Sequence, residues 1–288
     1  GLHLLLIALT HVTTTWAGAL HQGINLLQEP ARFTAGLSYS LGLMAILGAH
    51  EMGHYVAAIW HGMRVTLPYF IPVPFALGTF GAFIQLRSPS PSRRALFDVG
   101  VAGPLAGLAV AVPALLIGLP LSSVSTAAPS AGLHLGTDAG SSMLLTLIAS
   151  VVIPDAIAEG HVIVLHPLAF AGWLGLLVTA LNLIPIGQLD GGHIADAMFG
   201  PRASATIATL AMVTLVLLGL FVWSGLLFWA FIAFFIAGRK GLPPLNDLTV
   251  LDTRRLAVGI FSFALLVAIL LPVPHGLYET IGIHCPYL

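Results

Sequence analysis

Long runs of apolar residues, separated by short polar stretches, dominate the pattern of this chain. Seven runs are long enough, or nearly so, to cross the apolar core of a bilayer as helices. They lie at about 2–20, 35–60, 98–119, 162–184, 204–222, 223–238 and 256–274. The run at 223–238 is short, and we expect it to pack inside the bundle. The pattern predicts an all-α, multi-pass membrane protein with about six to seven transmembrane helices.

The composition supports a membrane protein. Hydrophobic residues make up 58% of the chain and charged residues 7%, with a mean hydropathy of +1.00, whereas about a quarter of the residues in soluble domains are charged. The net charge of −1 is uninformative about nucleic acid, but the chain has no basic stripe, so we expect no nucleic-acid partner. Cys285 is the only cysteine, which excludes an intrachain disulfide and a thiolate cluster. Any metal ligands must therefore be His, Asp or Glu.

The basic residues predict the orientation in the membrane. Nine of the ten lie on one side if a further apolar piece, at about 141–153, does not cross. They are Arg64, Arg87, Arg93, Arg94, Arg202, Arg239, Lys240, Arg254 and Arg255. The positive-inside tendency makes this side cytoplasmic and leaves Arg32 outside. A crossing at 141–153 would move the later clusters to the opposite face, so we interpret this piece as re-entrant or surface-lying.

The second apolar run contains a metal-binding pattern, His50-Glu51-Met52-Gly53-His54. On a helix the two histidines project from one face and can bind one metal ion, and Glu51 can take a proton from water that the metal activates. A stray match in a soluble helix would be two surface histidines and a solvated glutamate. Here the flanks are apolar, and an ionisable group at membrane depth costs roughly 2.5–3.5 kcal/mol on insertion scales. The pattern therefore predicts a metalloenzyme that works within a bilayer.

Residues 61–97 differ from the rest of the chain. Five prolines, with glycines at 78 and 81, punctuate two β-prone runs, Tyr69–Val73 and Phe80–Leu86, a pattern typical of a hairpin. The alternative is an ordinary cytoplasmic loop, but the two runs are too apolar for a free loop. Non-helical backbone at membrane depth must be buried in protein or line a wet cavity. We therefore expect a small β-hairpin that dips into the bundle.

A polar segment in the second half of the chain offers a third metal ligand. Catalytic zinc takes three protein ligands and a water, and the best remaining candidate is Asp190, in the segment Asn182–His193. Pro185 and Gly187 break the helix there, and the alternative role of Asp190 is an N-cap for the helix that resumes after it. Under the orientation above, Asp190 lies at a depth similar to that of the two histidines. His193 is either a hydrogen-bonding partner of Asp190 or a turn residue.

These motifs resemble those of the site-2 protease family of intramembrane zinc metalloproteases. The residues that carry the resemblance are His50 through His54, Gly78-Thr79-Phe80-Gly81, Ala102-Gly103-Pro104-Leu105-Ala106-Gly107, and Asn182 through Gly191, which match the family pattern N-x-x-P-x-x-x-L-D-G. We interpret 1–288 as a single transmembrane protease domain with its core at 36–200 and accessory helices at 201–288. Many relatives carry a PDZ domain between the motifs or CBS domains after them. The linker at about 120–161 is too short for a PDZ domain, so the chain resembles a compact form.

The resemblance implies roles for individual residues. It implies one Zn²⁺ ion held by His50, His54 and Asp190, with Glu51 as the catalytic carboxylate. It implies that Asn182 helps to hold the substrate or the oxyanion, and the alternative is an amide that bonds to a neighbouring helix. The family's hairpin is thought to pair with extended substrate, and the matching residues here are Gly78, Gly81, Ala82, Phe83 and Ile84.

Together these features predict an intramembrane zinc metalloprotease that cleaves transmembrane segments of membrane-protein substrates in regulated intramembrane proteolysis, with Glu51 as general base. The alternatives are a divalent-metal transporter and a non-catalytic membrane binding protein. A metal transporter needs no carboxylate beside a ligand histidine. The presence of Glu51 together with all three candidate ligands argues against a non-catalytic binding protein. We expect a multi-pass protein of a bacterial cytoplasmic membrane or an organelle membrane, with the lipid bilayer and transmembrane substrates as partners. The active site should lie nearer the cytoplasmic side.

Overall fold

A computed structural model of the chain describes residues 1–125, 136–137, 142–154, 162–221, 225–237, 245–246 and 249–271. Within them, eight α-helices form a bundle and five short strands form two small sheets. The helices are α1 (Leu2–His21), α2 (Leu37–Trp60), α3 (Arg93–Gly118), α4 (Met143–Val152), α5 (Pro167–Leu183), α6 (Asp190–Phe221), α7 (Gly225–Ala237) and α8 (Thr253–Leu270). The strands are β1 (Tyr69–Pro72), β2 (Thr79–Phe83), β3 (Ser123–Ser125), β4 (Gly136–Thr137) and β5 (Val162–Val164).

The helices confirm the predicted all-α membrane architecture. Among the described residues, five helical segments are long and apolar enough to span a membrane, and they contain α1, α2, α3, α6 and α8. Each of the seven predicted apolar runs overlaps a helix, although the run at 162–184 begins with strand β5 and becomes helical only at Pro167. The piece at 141–153 forms α4, whose 10 residues extend about 15 Å, half the thickness of the hydrocarbon core. A helix of this length is too short to cross alone, as the predicted orientation requires.

Two helices differ in detail from the predicted runs. α6 is kinked at Gly200, where φ is 80°, because this left-handed residue is followed by Pro201, which has no N–H for the helix ladder. The expectation that 223–238 packs inside the bundle was wrong for the described side chains, since Leu226, Ala230 and Ala233 pack against α5, α6 and the segment between them while other residues of α7 are exposed. Its opposite face exposes three aromatic side chains, Phe231, Phe234 and Phe235, each at 60% or more. Hydropathy alone does not distinguish a helix that faces lipid from one that faces protein.

The predicted hairpin is present and packs into the bundle. β1 and β2 pair in antiparallel fashion, with Tyr69 opposite Phe83 and Phe70 opposite Ala82. Phe70 is 5% exposed and packs in a cluster with side chains of α1, α2 and α5. The turn is held from outside the hairpin, because the Thr13 hydroxyl donates to the Gly78 carbonyl at 2.7 Å. Inside an apolar bundle, a backbone carbonyl outside a helix cannot bond to water, so a side-chain hydrogen bond of this kind satisfies it.

A second small sheet, in the order β3–β5–β4, was not predicted. Both outer strands run antiparallel to β5, with Ser123 and Gly136 each opposite Val164. The strands have two or three residues each, which is too short to produce an alternating sequence pattern. The sheet lies at the end of the bundle where α3 ends and α5 begins.

Charged side chains join α3, α8 and the end of α2 at the opposite end of the bundle. Arg255 donates to both oxygens of Asp98, at 2.8 and 2.7 Å, and the same carboxylate bonds His61 Nε2 at 2.9 Å. Arg94 donates to the Val250 carbonyl at 3.1 Å. Arg94 of the early basic cluster and Arg255 of the late one therefore lie at the same end of the bundle. Arg239, Lys240 and Cys285 lie outside the described residues.

Replacing Asp98 with alanine should destabilise the protein, because Arg255 and His61 then lose the carboxylate that they share. We expect a loss of roughly 1–3 kcal/mol, the cost of leaving a partly buried polar group without its partner, measured by thermal unfolding in detergent. Asp252→Ala is the matched control, since Asp252 binds the same arginine but is 42% exposed against 24% for Asp98. Asp252→Ala should lower the unfolding temperature less than Asp98→Ala does. Equal shifts would contradict the stabilising role given to the Asp98 carboxylate.

Candidate metal centre and active site

His50, His54 and Asp190 meet at one point inside the bundle. The Nε2 atoms of the two histidines are 3.1 Å apart, and each lies 3.4 Å from Oδ2 of Asp190. In a tetrahedral site with metal–ligand bonds of about 2.0–2.1 Å, any two ligand atoms are about 3.3–3.4 Å apart. Two imidazoles and a carboxylate are also a donor set typical of catalytic zinc. The three side chains therefore fit three corners of a zinc tetrahedron.

The backbone explains how these side chains come together. His50 and His54 project from one face of α2 and are 4% and 7% exposed. Asp190 is the first residue of α6, and its carboxylate faces the two imidazoles. Gly191 and Gly192 make this possible, because a Cβ at either position would collide with the backbone of the turn that precedes α6. Two roles were considered for Asp190; its distances to the two imidazoles are compatible with a metal ligand, and that role stays a prediction.

The opposing face of α3 orients His54. The Val99 carbonyl lies 2.7 Å from His54 Nδ1, and a carbonyl can only accept, so Nδ1 carries the proton and Nε2 presents its lone pair. α3 approaches this closely because a Cβ on Gly103 would fall on the His54 ring, and one on Gly107 would lie 3.2 Å from His50. Ala102–Gly107, one of the motifs that carry the family resemblance, therefore forms the part of α3 that contacts His50 and His54 closely.

Glu51 lies beside the three ligands and next to the end of the hairpin. Its side chain is buried, with 7% of the residue exposed. Glu51 and Ile84, which directly follows β2, line the same cavity. The glutamate therefore lies beside both the His-His-Asp cluster and the end of the hairpin.

A cavity of about 260 Å³ joins the predicted site residues. Its lining includes the three ligands, Glu51, Asn182, and three of the five predicted hairpin residues: Ala82, Phe83 and Ile84. The other two lie away from it. Gly78 is in the hairpin turn, packed against the backbone of Thr13 and Thr14, and Gly81 has open space around it.

Sequence reasoning missed several residues that line the cavity. Gln188, Ser90, Leu96 and Gly100 belong to this group. Gln188 could have been found as a polar residue in the helix break, next to Asp190 in the chain. Gly100 precedes Gly103 and Gly107 at helical spacing, and this stripe of glycines could have predicted the closely packed face. His193, weighed as a partner of Asp190 or a turn residue, lines the cavity and lies against Gly100.

The fold and the site define a class: a multi-pass helical membrane protein with a His-His-Asp cluster inside the bundle that could hold a metal ion. A family model described as "Peptidase family M50" matches residues 38–222. The chain belongs to this family, which is the site-2 protease family that the motifs resemble.

Several curated proteins are similar over most of the chain. A probable zinc metalloprotease EGY1, chloroplastic, from Arabidopsis thaliana is 37% identical over 251 residues, which are 86% of this chain and 45% of that protein. A probable zinc metalloprotease EGY2, chloroplastic, from Oryza sativa subsp. indica is 35% identical over 245 residues, 83% of this chain and 43% of that protein. A probable zinc metallopeptidase EGY3, chloroplastic, from Arabidopsis thaliana is 32% identical, covering 85% and 44% respectively. The chain thus spans less than half the length of these relatives.

Gly103→Ala should weaken zinc binding, because the new methyl group displaces the His54 ring. We expect a roughly ten- to hundredfold loss of affinity, the range seen when the partner of a ligating histidine is removed, measured as zinc per chain against a competing chelator. Gly48→Ala is the matched control on α2, since its Cβ would meet only Phe70 at 3.8 Å, an ordinary contact. Full zinc affinity in Gly103→Ala would contradict the close contact described here.

Proposed function

We propose that the chain is the membrane-embedded catalytic unit of a zinc metalloprotease that hydrolyses peptide bonds in transmembrane segments of membrane-protein substrates, as in regulated intramembrane proteolysis. The observation that carries the proposal is that three metal-ligand atoms, a buried carboxylate and the end of a β-strand share one cavity. A metal transporter would need the ligands but neither of the other two features. The similarity to proteins named as zinc metalloproteases supports the same chemistry. We assign this activity to a core at 36–200, with 201–288 as accessory helices.

In this proposal His50, His54 and Asp190 hold one Zn²⁺ ion. The Val99 carbonyl keeps the proton of His54 on Nδ1, so that Nε2 is available as a ligand. The Asp190 carboxylate supplies the negative charge that a buried dication needs. When bound, the ion supplies Lewis-acid chemistry, which polarises a peptide carbonyl and makes a water molecule acidic.

Glu51 is the general base and later the general acid. It takes a proton from the attacking water and returns it to the leaving amine. Two features support this role: the side chain is buried, and it lines the same cavity as the three proposed ligands and Ile84.

The hairpin is the proposed substrate platform. A transmembrane helix hides its peptide bonds, so the substrate must unwind before hydrolysis and needs new partners for its backbone. Among the described strands, β2 pairs with β1 alone, and its end, Ala82 to Ile84, lines the cavity. An extended substrate segment added along this edge would gain backbone hydrogen bonds, as in β-strand addition. Gly78 and Gly81 then act by shaping the hairpin, since both have positive φ, 81° and 100°.

Asn182 is the proposed donor to the developing oxyanion. It is half-buried at the end of α5 and lines the same cavity as Glu51. A single side-chain donor in this role is worth about 2.7–4 kcal/mol where it has been measured. The alternative, a packing amide between helices, predicts no effect on the chemical step.

The proposed orientation puts the active site near the basic end of the bundle. Ser90 and Leu96 line the cavity and flank the start of α3, where Arg93 and Arg94 lie. The positive-inside tendency makes this end cytoplasmic, or the equivalent side of an organelle membrane. The chloroplastic relatives are consistent with either a bacterial or an organelle membrane.

Glu51→Gln should abolish proteolysis and retain zinc, because the amide cannot accept the proton but the ligands are intact. We expect cleavage of a single-span model substrate in liposomes to fall roughly 10²- to 10⁴-fold, the range for a general base, with zinc per chain unchanged. A zinc chelator should stop wild-type cleavage. Cleavage at the wild-type rate by the variant would remove Glu51 from the mechanism, and metal flux that persists in it would favour transport.

Asp190→Asn should weaken zinc binding, because a neutral amide replaces the charged ligand. The affinity should fall at least roughly a hundredfold, beyond the ten- to hundredfold effect of losing a ligand's hydrogen-bonding partner. Asp196→Asn makes the same change further along α6, outside the metal ligands, and should keep its zinc. If the two variants bind zinc equally well, Asp190 is not a ligand.

A further inference from the structure

His193 is a polar residue of the active-site cavity that has no part in the chemistry described so far. It lines the cavity together with Glu51 and Asn182. Its backbone N–H donates to the Leu189 carbonyl at 3.1 Å, so it belongs to the first turn of α6. Residues three apart on a helix share a face, with their Cβ atoms about 5–6 Å apart. His193 and the proposed ligand Asp190 therefore project from the same side of α6.

Both ring nitrogens of His193 are open to an occupant of the cavity. The ring makes no hydrogen bond with another residue in the part of the chain that the structure describes. In that part, the one side-chain nitrogen or oxygen that is both buried and unpaired is Nδ1 of His21, so neither nitrogen of His193 is buried. The residue itself is only partly exposed, and the open space that it lines is the cavity.

His193 is set back from the proposed metal position. The ligand atoms of His50, His54 and Asp190 lie within 4.8 Å of one another, and no further His, Cys, Asp or Glu among the described residues joins this group. His193 is therefore not a fourth ligand. A donor to an oxyanion is set back in the same way, because it lies about 2.7–3.1 Å beyond the oxygen that it serves.

An imidazole in this position can donate in either protonation state. The neutral ring carries one N–H and the protonated ring carries two, so the donor does not depend on the charge of the ring. The side chain is also held at its base, because a Cβ built on Gly100 of α3 would lie 3.3 Å from the Cβ of His193. The cavity therefore contains a donor whose point of attachment is packed against a neighbouring helix.

We propose that His193 is a further catalytic residue, which donates an N–H to the oxyanion that develops on the substrate's peptide carbonyl. This inference rests on the proposed proteolysis. Asn182 at the end of α5 and His193 in the first turn of α6 then serve the same oxygen. Glu51 of α2 remains the group that moves the protons.

Two simpler roles for His193 make different predictions. A ring that only fills space could be replaced by another flat ring without loss of rate. A residue that only supports the ligand Asp190 would, when replaced, change the affinity for zinc. A donor to the oxyanion affects neither packing nor zinc and changes the rate of the chemical step.

His193→Phe tests the donor, because it keeps a flat ring and removes both nitrogens. With a single-span model substrate in liposomes, we expect kcat to fall roughly 10²- to 10³-fold, the range for one oxyanion donor, with KM and zinc per chain unchanged. His193→Gln keeps an N–H donor and should recover most of the lost rate. His166→Phe is the matched control and should keep kcat, since His166 caps the start of α5 and lies outside the cavity lining.

A binding measurement separates the transition state from the bound substrate. The bond that the wild type cleaves is located by mass spectrometry, and a peptide with a phosphinic group at that position mimics the tetrahedral anion. Such analogues use contacts that are made only in the transition state, so His193→Phe should weaken their binding by about the factor lost in kcat. The affinity for uncleaved substrate should be the same in Glu51→Gln with and without His193→Phe.

The results distinguish a failure of this role from a failure of the proposed proteolysis. Wild-type kcat in His193→Phe, or equal losses of affinity for the phosphinic peptide and the substrate, would overturn the role of His193 alone. A loss of zinc in His193→Phe would make His193 a support for the ligands and would also overturn it. If the wild type binds zinc but cleaves no substrate, the proposed proteolysis fails and this inference fails with it.

Discussion

The approach of α3 to the imidazoles of α2 is the contact on which the proposed active site depends. Inside a membrane, helices gain little from the hydrophobic effect and associate mainly through close van der Waals packing and hydrogen bonds. Here the missing side chains of Gly103 and Gly107 leave room for His54 and His50. Gly53 on α2 allows the reverse contact with Ala102. The same glycine contacts therefore pack α2 against α3 and position the imidazoles of His50 and His54.

The second constraint is that backbone N–H and C=O groups outside the helices need hydrogen-bond partners. The hairpin turn and the segment between α5 and α6 both expose peptide groups within an apolar bundle. α1 and the start of α2 satisfy the turn, through Thr13, His21 and Tyr39. The segment before α6 closes on itself, with Ile186 and Leu189 donating to Ile184 and Ile186. α1, which carries no proposed catalytic group, therefore acts together with the start of α2 to position the hairpin whose second strand lines the active-site cavity.

The parts that could be predicted from the sequence are those with a local signal. His50 and His54 are polar residues in an apolar run, Asp190 follows a helix break marked by Pro185 and Gly187, and the prolines and glycines of 61–97 mark the hairpin. No local signal marks α1 as a support for the hairpin. Its threonines and histidines are ordinary in a helix, and they act only by contacting residues distant in the chain. The exposed aromatic face of α7 was missed because hydropathy does not say which neighbour covers a residue. The β3–β5–β4 sheet depends on long-range pairing of strands too short to show a pattern.

The accessory helices also connect to the metal centre through α3. Asp98 and Val99 are consecutive residues near the start of that helix. Arg255 of α8 donates to both oxygens of the Asp98 carboxylate, at 2.8 and 2.7 Å. The Val99 carbonyl accepts a hydrogen bond from His54 Nδ1 at 2.7 Å. Because the two residues are neighbours in one helical turn, the ion pair at Asp98 lies directly beside the contact that orients His54. This ion pair joins the proposed core at 36–200 to the proposed accessory helix α8.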